Sequence, residues 1–420
     1  MYSEVDKTRP VVQKYGGTSV GTIGRIKAVA RRVARFKRDD WEKLAIVVSA
    51  MSGETNRLVG LMKEANPEAR GRTKSYDMAV SAGEQVSVGL MAAALEAEGI
   101  HALPFLAYQI GIMTDRSHGE AKIRSIQTDT IEKCWAAGAI PVIAGFQGIT
   151  ETMDLTTLGR GGSDTSAVAL AAALGASSCE INTDVDGVFT ADPRYIAGAK
   201  LIEELDYETA LELAALGSKV LHSRCIEVAA KYRIPITVRN SFQADDRRRT
   251  RIMTFSDQTA LEAPVVSGIT LDENVARITV QGVPSRGKTL FLVFGSVASE
   301  GINVDIIVHN TRGDETKDRF GFTVQEEDVE AATKAIESLR VQSGFAELAV
   351  TTQRDLAKVS AVGLGMRSHS GVATRVFATL TKNNVDIMMV STSEIKISCV
   401  VPGAQGKQAA QLLHDSFFEK

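Results

Sequence analysis

Apolar positions in the first half of the chain follow two alternating patterns. Short strand-like runs over 11–15, 44–48, 140–144, 179–182 and 235–238 are separated by longer segments over 23–36, 77–98, 166–174, 207–216 and 224–231, where apolar residues recur every three or four positions. A short apolar run with no polar face predicts a buried strand, and the longer period predicts a helix packed on it. The alternation predicts an α/β fold, a three-layer αβα domain around a largely parallel sheet. Ligands of such sheets bind at the carboxyl ends of the strands.

The pattern changes at the charged stretch Ala244-Asp245-Asp246-Arg247-Arg248-Arg249-Thr250. A catalytic-type domain is expected over 1–245, a linker over 246–264, and two βαββαβ units over 265–345 and 346–420. In the first unit, strands over 277–282, 304–308, 320–324 and 347–351 alternate with helices over 289–299 and 329–339. In the second, strands over 358–363, 385–390 and 395–401 go with helices over 373–382 and 405–417. Gly282 stands as far before Asp305 as Gly363 does before Asp386, which marks the units as a repeat. The second unit lacks its last strand. The spare strand pattern over 265–271 supplies it, so that the first unit is inserted within the second.

A length of 420 residues fits two or three domains, and a net charge of −3 offers no attraction for nucleic acid or a membrane surface. The basic stretches, such as Arg247-Arg248-Arg249, are read as solvated. Cys134, Cys179, Cys225 and Cys399 are dispersed, without zinc or disulfide spacing, and fit a reducing cytoplasm. The six histidines show no metal spacing either, so no protein-built metal site is expected. The polar start, residues 1–10, is unlike a signal peptide, and the longest apolar runs, such as 167–174, read as too short to span a bilayer.

Five segments carry chemistry. Lys14-Tyr15-Gly16-Gly17-Thr18-Ser19 ends a strand and opens a helix. Its glycines let backbone approach a phosphate, and Lys14 adds positive charge where a phosphoryl group would sit. By itself, a Gly-Gly after a strand is more often a plain turn. Ser49 and Thr55 lie in a small polar loop after the next strand, suited to a carboxylate or phosphate, although by itself the segment reads as a turn and helix cap. Glu84 falls on a small, apolar helix face, where a carboxylate needs a cation, either a substrate ammonium or a structural arginine, unless it is simply exposed. Thr157-Leu158-Gly159-Arg160-Gly161-Gly162-Ser163-Asp164 is a glycine loop ahead of an alanine-rich helix. An arginine between glycines has little packing role and forms a fork for a carboxylate, while Asp164 is either functional or an N-cap. Thr183-Asp184-Val185-Asp186-Gly187-Val188-Phe189 through Asp192-Pro193-Arg194 combines turn signals with groups suited to a nucleotide, and Lys219 adds a possible phosphate contact. His222 reads as a structural hydrogen-bonder.

Together these segments, in this order and over nearly the whole chain, resemble the aspartate kinases of the amino-acid kinase superfamily. The repeated C-terminal units look like ACT domains. The resemblance implies transfer of phosphate from ATP to aspartate, with Mg²⁺ held mainly by the phosphates. It implies that Lys14 and Asp164 are catalytic, and that Ser49, Thr55, Glu84, Arg160, Gly161 and Ser163 bind aspartate. Lys14, Gly16, Gly17, Thr183, Asp184, Phe189, Asp192, Arg194 and Lys219 would bind ATP, with Phe189 replacing the family's tyrosine. The ACT-like units imply feedback control by threonine, lysine or both, through Ser285, Arg286, Asp305, His309, Asn310, Met366, His369 and Val372, and a homo-oligomer joined through these units. The loop Pro284-Ser285-Arg286-Gly287-Lys288 has two cations, and no acid lies between 277 and 299, which disfavours a second ammonium and hence lysine as sole effector. Two rival readings are another kinase of the same fold, acting on glutamate, acetylglutamate or UMP, and a non-catalytic amino-acid sensor.

Overall fold

The computed structural model describes residues 8–38, 42–67, 72–217, 220–243, 248–254, 265–284, 287–309, 317–343, 345–367 and 371–419. Two compact units divide the chain: Met1–Phe189 with Leu201–Leu261, and Thr190–Lys200 with Glu262–Lys420. The second grouping differs from the expected boundaries, because Thr190–Lys200 comes from the middle of the expected catalytic domain.

The first unit is built on an eight-stranded sheet. Its order is Glu204–Leu205, Arg249–Ile252, Ile236–Asn240, Ser178–Thr183, Val11–Tyr15, Leu44–Val48, Ile140–Ala144 and Ala102–Phe105. All neighbours are parallel except Ile236–Asn240 with Arg249–Ile252. The apolar strands are fully buried, as a sheet covered on both faces requires. On one face, Val29 and Val33 of helix Ile23–Arg38 and Met91 and Leu95 of helix Ala82–Ala97 pack on Val11, Tyr15, Ile46 and Val142. Helix Gly162–Ala173 also packs against Val11–Tyr15. Residues alternate across a strand, so Lys14 points away from the Tyr15 side. A smaller sheet, ordered Ile123–Ile126, Ile112–Thr114, Gln147–Ile149 and Leu155–Thr157, was not anticipated. Its strands are only three or four residues long, too short for a periodicity to register.

The expected helix over 77–98 is two helices, Lys74–Val80 and Ala82–Ala97, meeting at Ser81. By length and composition the stretch Lys74–Ala97 is apolar enough to cross a membrane, which corrects the reading that no run is. Half of it is nevertheless buried within the protein, and Asp77 and Glu84 on it point inward at 0% and 3% exposure. It is a core element.

The second unit is one six-stranded antiparallel sheet, ordered Ile307–His309, Lys317–Gln325, Gly268–Pro284, Ala349–Val362, Lys396–Pro402 and Met389–Thr392. Four separate strands were expected where two long ones occur. Gly268–Pro284 merges the patterns over 265–271 and 277–282, and Ala349–Val362 merges 347–351 and 358–363. Register shifts near Asp272 and Val275 let the paired strands run on through a change of face. Residues 268–272 pair with 362–358, and 277–281 pair with 353–349. Each half has its own core. Ile278, Val280, Phe320 and Phe322 pack under Val293, Val297 and Ile336, while Val359, Ala361 and Cys399 pack under Val376, Leu380 and Leu413.

Thr190–Lys200 is fixed within this second core. Ala191 and Ile196 join the Val359 cluster. The Thr190 hydroxyl lies 2.9 Å from His414 Nε2, Ile269 N–H donates to the Thr190 carbonyl at 2.7 Å, and Gln411 brackets Ala197 through both of its amide atoms.

Candidate active site

The carboxyl ends of Val11–Tyr15 and Leu44–Val48, the start of helix Ala82–Ala97 and the loop before helix Gly162–Ala173 enclose a cavity of about 310 Å³ in the first unit. Its walls bring together Lys14, Gly17, Ser49, Thr55, Glu84, Arg160, Gly161, Ser163 and Asp164, which are distant in sequence.

Two charged groups meet at one end. Lys14 Nζ lies 2.5 Å from Asp164 Oδ1, and both side chains are largely buried. The contact is an ion pair without the alignment of a hydrogen bond, so that oxygen counts no hydrogen-bond partner. The strand bearing Lys14 is held by a buried polar network on its other face. The Gln13 amide donates to Glu180 at 2.8 Å, Arg239 pairs with Glu180 at 2.5 Å and with Asn182 at 3.0 Å, and Asn182 donates to the Lys14 carbonyl at 3.3 Å. Each buried charge here has its counter-charge, as burial demands.

At the other end the groups are unmatched. Glu84 is 3% exposed. Its Oε1 accepts from Ala50 N–H at 3.0 Å, while its buried Oε2 has no partner among the described residues. Burial pushes the carboxyl up to about 7, against smaller opposing effects of the Ala50 and Glu84 backbone N–H groups. Arg160 lines the same cavity, is exposed, and makes no ion pair or hydrogen bond among the described residues.

The Arg160 turn is shaped by Gly161, whose φ is +70° and whose missing Cβ would stand 2.3 Å from the His222 side chain. No other residue fits there. His222 itself caps helix Ser223–Tyr232, its Nδ1 accepting from Arg224 N–H at 3.4 Å, which is the structural role expected of it. The base of the turn is clamped by Asp77, a residue the sequence reading missed. Its buried carboxylate accepts from the Thr157 hydroxyl at 2.5 Å and from Gly119 N–H at 3.0 Å, and contacts His118 Nδ1 at 2.6 Å. Phe146 was missed as well. It lines the cavity with φ at 68°, a strained value for a bulky residue, held by Ser166 Oγ accepting from its N–H. A buried acid on an apolar helix was a legible signal for Asp77, whereas nothing local marks Phe146.

The expected nucleotide residues divide. Gly16 donates its N–H to the Asn182 carbonyl, and Thr183 ends the strand beside Val11–Tyr15 with Asp184 just beyond it, the Thr183 hydroxyl donating to Asp184 at 3.1 Å. Phe189 is half-buried and bridges Leu201 in the first unit. Asp192 and Arg194 fall in Thr190–Lys200, hence in the second unit, and pair with each other at 2.5 Å. Lys219 lies outside the described residues. Of the expected effector residues, Ser285, Arg286, Asn310 and His369 also lie outside them. Asp305 pairs with Lys358, His309 stands edge-on to Phe320 at 5.9 Å, and Met366 and Val372 pack into the second core. All four cysteines are free and buried, with thiols pushed up by burial, which leaves them inert. Among the described residues no group of three or more histidine, cysteine, aspartate or glutamate side chains is placed to hold a metal ion.

The class this architecture defines is an α/β kinase carrying a regulatory module. Residues 9–240 match the amino acid kinase family and residues 359–417 match the ACT domain. The chain is 44% identical to the aspartate kinase Ask_LysC of Stutzerimonas stutzeri and 44% identical to an aspartokinase of Geobacillus stearothermophilus, each over 97% of both chains. It also superposes on Escherichia coli aspartokinase III, solved in complex with aspartate and ADP, with a TM-score of 0.77 and 25% identity, covering 98% of this chain and 100% of that one. The chain belongs to the aspartate kinase family.

Proposed function

We propose that this enzyme transfers the γ-phosphoryl group of ATP to the side-chain carboxylate of L-aspartate, giving ADP and 4-phospho-L-aspartate. The observation that carries the reading is an arginine and a buried carboxylate oxygen, both without partners among the described residues, in one cavity with a Lys–Asp pair. An amino acid supplies what the unmatched end lacks. Its α-carboxylate suits the Arg160 fork and its ammonium suits Glu84. Ser49, Thr55, Gly161 and Ser163 complete that wall. Similarity to an enzyme solved with aspartate and ADP supports the same assignment.

The reacting carboxylate of aspartate is ionised at neutral pH. It needs no general base. An oxygen lone pair forms the new O–P bond in line as the bond to the β,γ-bridging oxygen breaks, and that electron pair leaves with ADP. Lys14 stabilises the charge spread over the transferring group, and Asp164 holds its ammonium in place. Gly16, Gly17, Thr183, Asp184, Phe189, Asp192, Arg194 and Lys219 are assigned to ATP. The cavity's acids are already committed to Lys14 and to the substrate ammonium, which fits Mg²⁺ held by phosphate oxygens and water rather than by a protein cage, where it offsets phosphate charge.

The remaining assignments extend this reading. The enzyme acts in the cytoplasm at the head of lysine, methionine and threonine synthesis. It is a homo-oligomer joined through its ACT units, with effector sites built from the residues named above. Lysine alone inhibits it weakly, because the 284–288 loop carries two cations and no acid, and Asp305, an acid elsewhere in that unit, is already neutralised by Lys358.

The test is hydroxylamine trapping of acyl phosphate with aspartate, glutamate and acetylglutamate. Hydroxamate is expected from aspartate, and Arg160→Ala should raise the KM for aspartate far more than that for ATP. Product from another acceptor but none from aspartate would overturn the assignment.

A further inference from the structure

The second unit contains a cavity of about 340 Å³ on the open face of its sheet. It is lined by Arg277 and Thr279, Arg319, and Thr351, Thr352 and Gln353 from three adjacent strands. The lining is polar throughout, and no acidic side chain contributes to it among the described residues. Register explains the geometry. Thr279 pairs with Gly321 on one side and Thr351 on the other, while Arg319 sits opposite Gln281, two residues further along the same face. Because Gly321 has no side chain, the Arg277 guanidinium lies across it, with Nε 3.2 Å from where a Cβ would stand. Arg277 thus extends over the residue two positions from Arg319.

Two like charges are thereby directed into one space at a cost that needs a counter-charge. Neither arginine has an ion pair or hydrogen bond among the described residues, and Arg277 Nε is buried without a partner. A buried guanidinium nitrogen with nothing to donate to is costly. In the other half of the sheet, by contrast, the buried Lys358 is neutralised by Asp305.

We propose that this cleft binds a small dianion: a phosphate group, or a dicarboxylate without an ammonium group. Two guanidinium forks match the oxygens of such a ligand, and the Thr279 and Thr351 hydroxyls can donate to those left over. A free amino acid is a poor fit, since its ammonium would meet two arginines and no carboxylate. The cleft is therefore distinct in chemistry from the aspartate pocket.

The test is calorimetric titration of the full-length enzyme at low ionic strength with inorganic phosphate, succinate and L-aspartate, the catalytic cavity first being filled with aspartate and ADP. Phosphate or succinate should bind once per chain with a Kd of about 1 mM or tighter. Whichever of the two binds identifies the source, and further L-aspartate should not compete. Arg277→Gln and Arg319→Gln should each weaken that binding by about tenfold or more while leaving basal turnover unchanged, and Arg277→Lys should fall between. Binding of neither dianion, or equal binding by wild type and both glutamine variants, would overturn the proposal. So would glutamine variants that alter sedimentation and leave anion binding intact, because the cleft would then be a subunit contact.

Discussion

The two ends of the catalytic cavity treat charge in opposite ways. At the Lys14 end every buried charge is matched: Lys14 by Asp164, and Arg239 by Glu180 behind the same strand. At the Glu84 end a buried carboxylate oxygen and an exposed guanidinium have no partners among the described residues. The matched end is ordered before any ligand arrives, as stabilisation of a fleeting transition state requires. The unmatched end is complementary to something that binds and stays, and its deficits describe that ligand. On the proposed reading, preorganisation and recognition occupy separate walls of one pocket.

Three experiments probe this contrast. The largest effect is expected from Arg239→Met, which leaves Glu180 buried without its guanidinium. Breaking a buried pair from one side costs about 3–5 kcal/mol, so urea unfolding should show a loss of that order. A loss under 1 kcal/mol would mean that the network behind Lys14 is not what fixes its strand. Next comes Lys14→Ala. Its charge matters most while the phosphoryl group is in flight, so kcat should fall about 10²–10³-fold with little change in the calorimetric affinity for aspartate. A folded variant with near-normal kcat would erase the division between the two ends.

The smallest effect concerns pH. Burial holds the Glu84 carboxyl at about 7, so in the empty enzyme it is largely neutral below that pH and largely ionised above it. Binding an ammonium needs the ionised form. Aspartate affinity should therefore rise roughly tenfold from about pH 6 to pH 8, and Glu84→Gln should flatten this rise and weaken binding at the upper end. The raised value has the opposite consequence for stability. The empty enzyme is favoured below the unfolded value of the group and loses that advantage as pH climbs through 7. Unfolding of the empty protein at pH 8 should accordingly show Glu84→Gln to be the more stable form. A variant with the wild-type pH profile would remove Glu84 from ammonium binding.

Much of the pocket was legible because its residues break local rules. A lysine closing a buried strand, an arginine between glycines and a glutamate on an apolar helix face each conflict with simple packing, and all three reach the cavity. Asp77 breaks the same kind of rule two turns before Glu84 and could have been found by it. Phe146 and the partners Gln13, Glu180 and Arg239 could not, since their significance depends on which strands become neighbours. In the second unit the two long strands were each read as two shorter ones, and the strands expected over 304–308 and 385–390 begin later, at Ile307 and Met389. Register shifts, which carry the pairing through a change of face, leave no trace in periodicity. Least legible was the affiliation of Thr190–Lys200, where an Asp-Pro-Arg motif suited to a nucleotide sits among Ala191, Ile196 and Ala199, three apolar residues that belong to the other core.

That segment makes the chain a poor subject for cutting and splicing. The polypeptide passes from one compact unit to the other at 189/190, again at 200/201 and a third time at 261/262. A truncation near residue 245 would strip Ala191 and Ile196 of the core that buries them, and a chimera joined in the linker would press a host strap into a guest core shaped for another sequence. Exchange of regulatory modules between relatives should therefore succeed only when residues 190–200 travel with the C-terminal half.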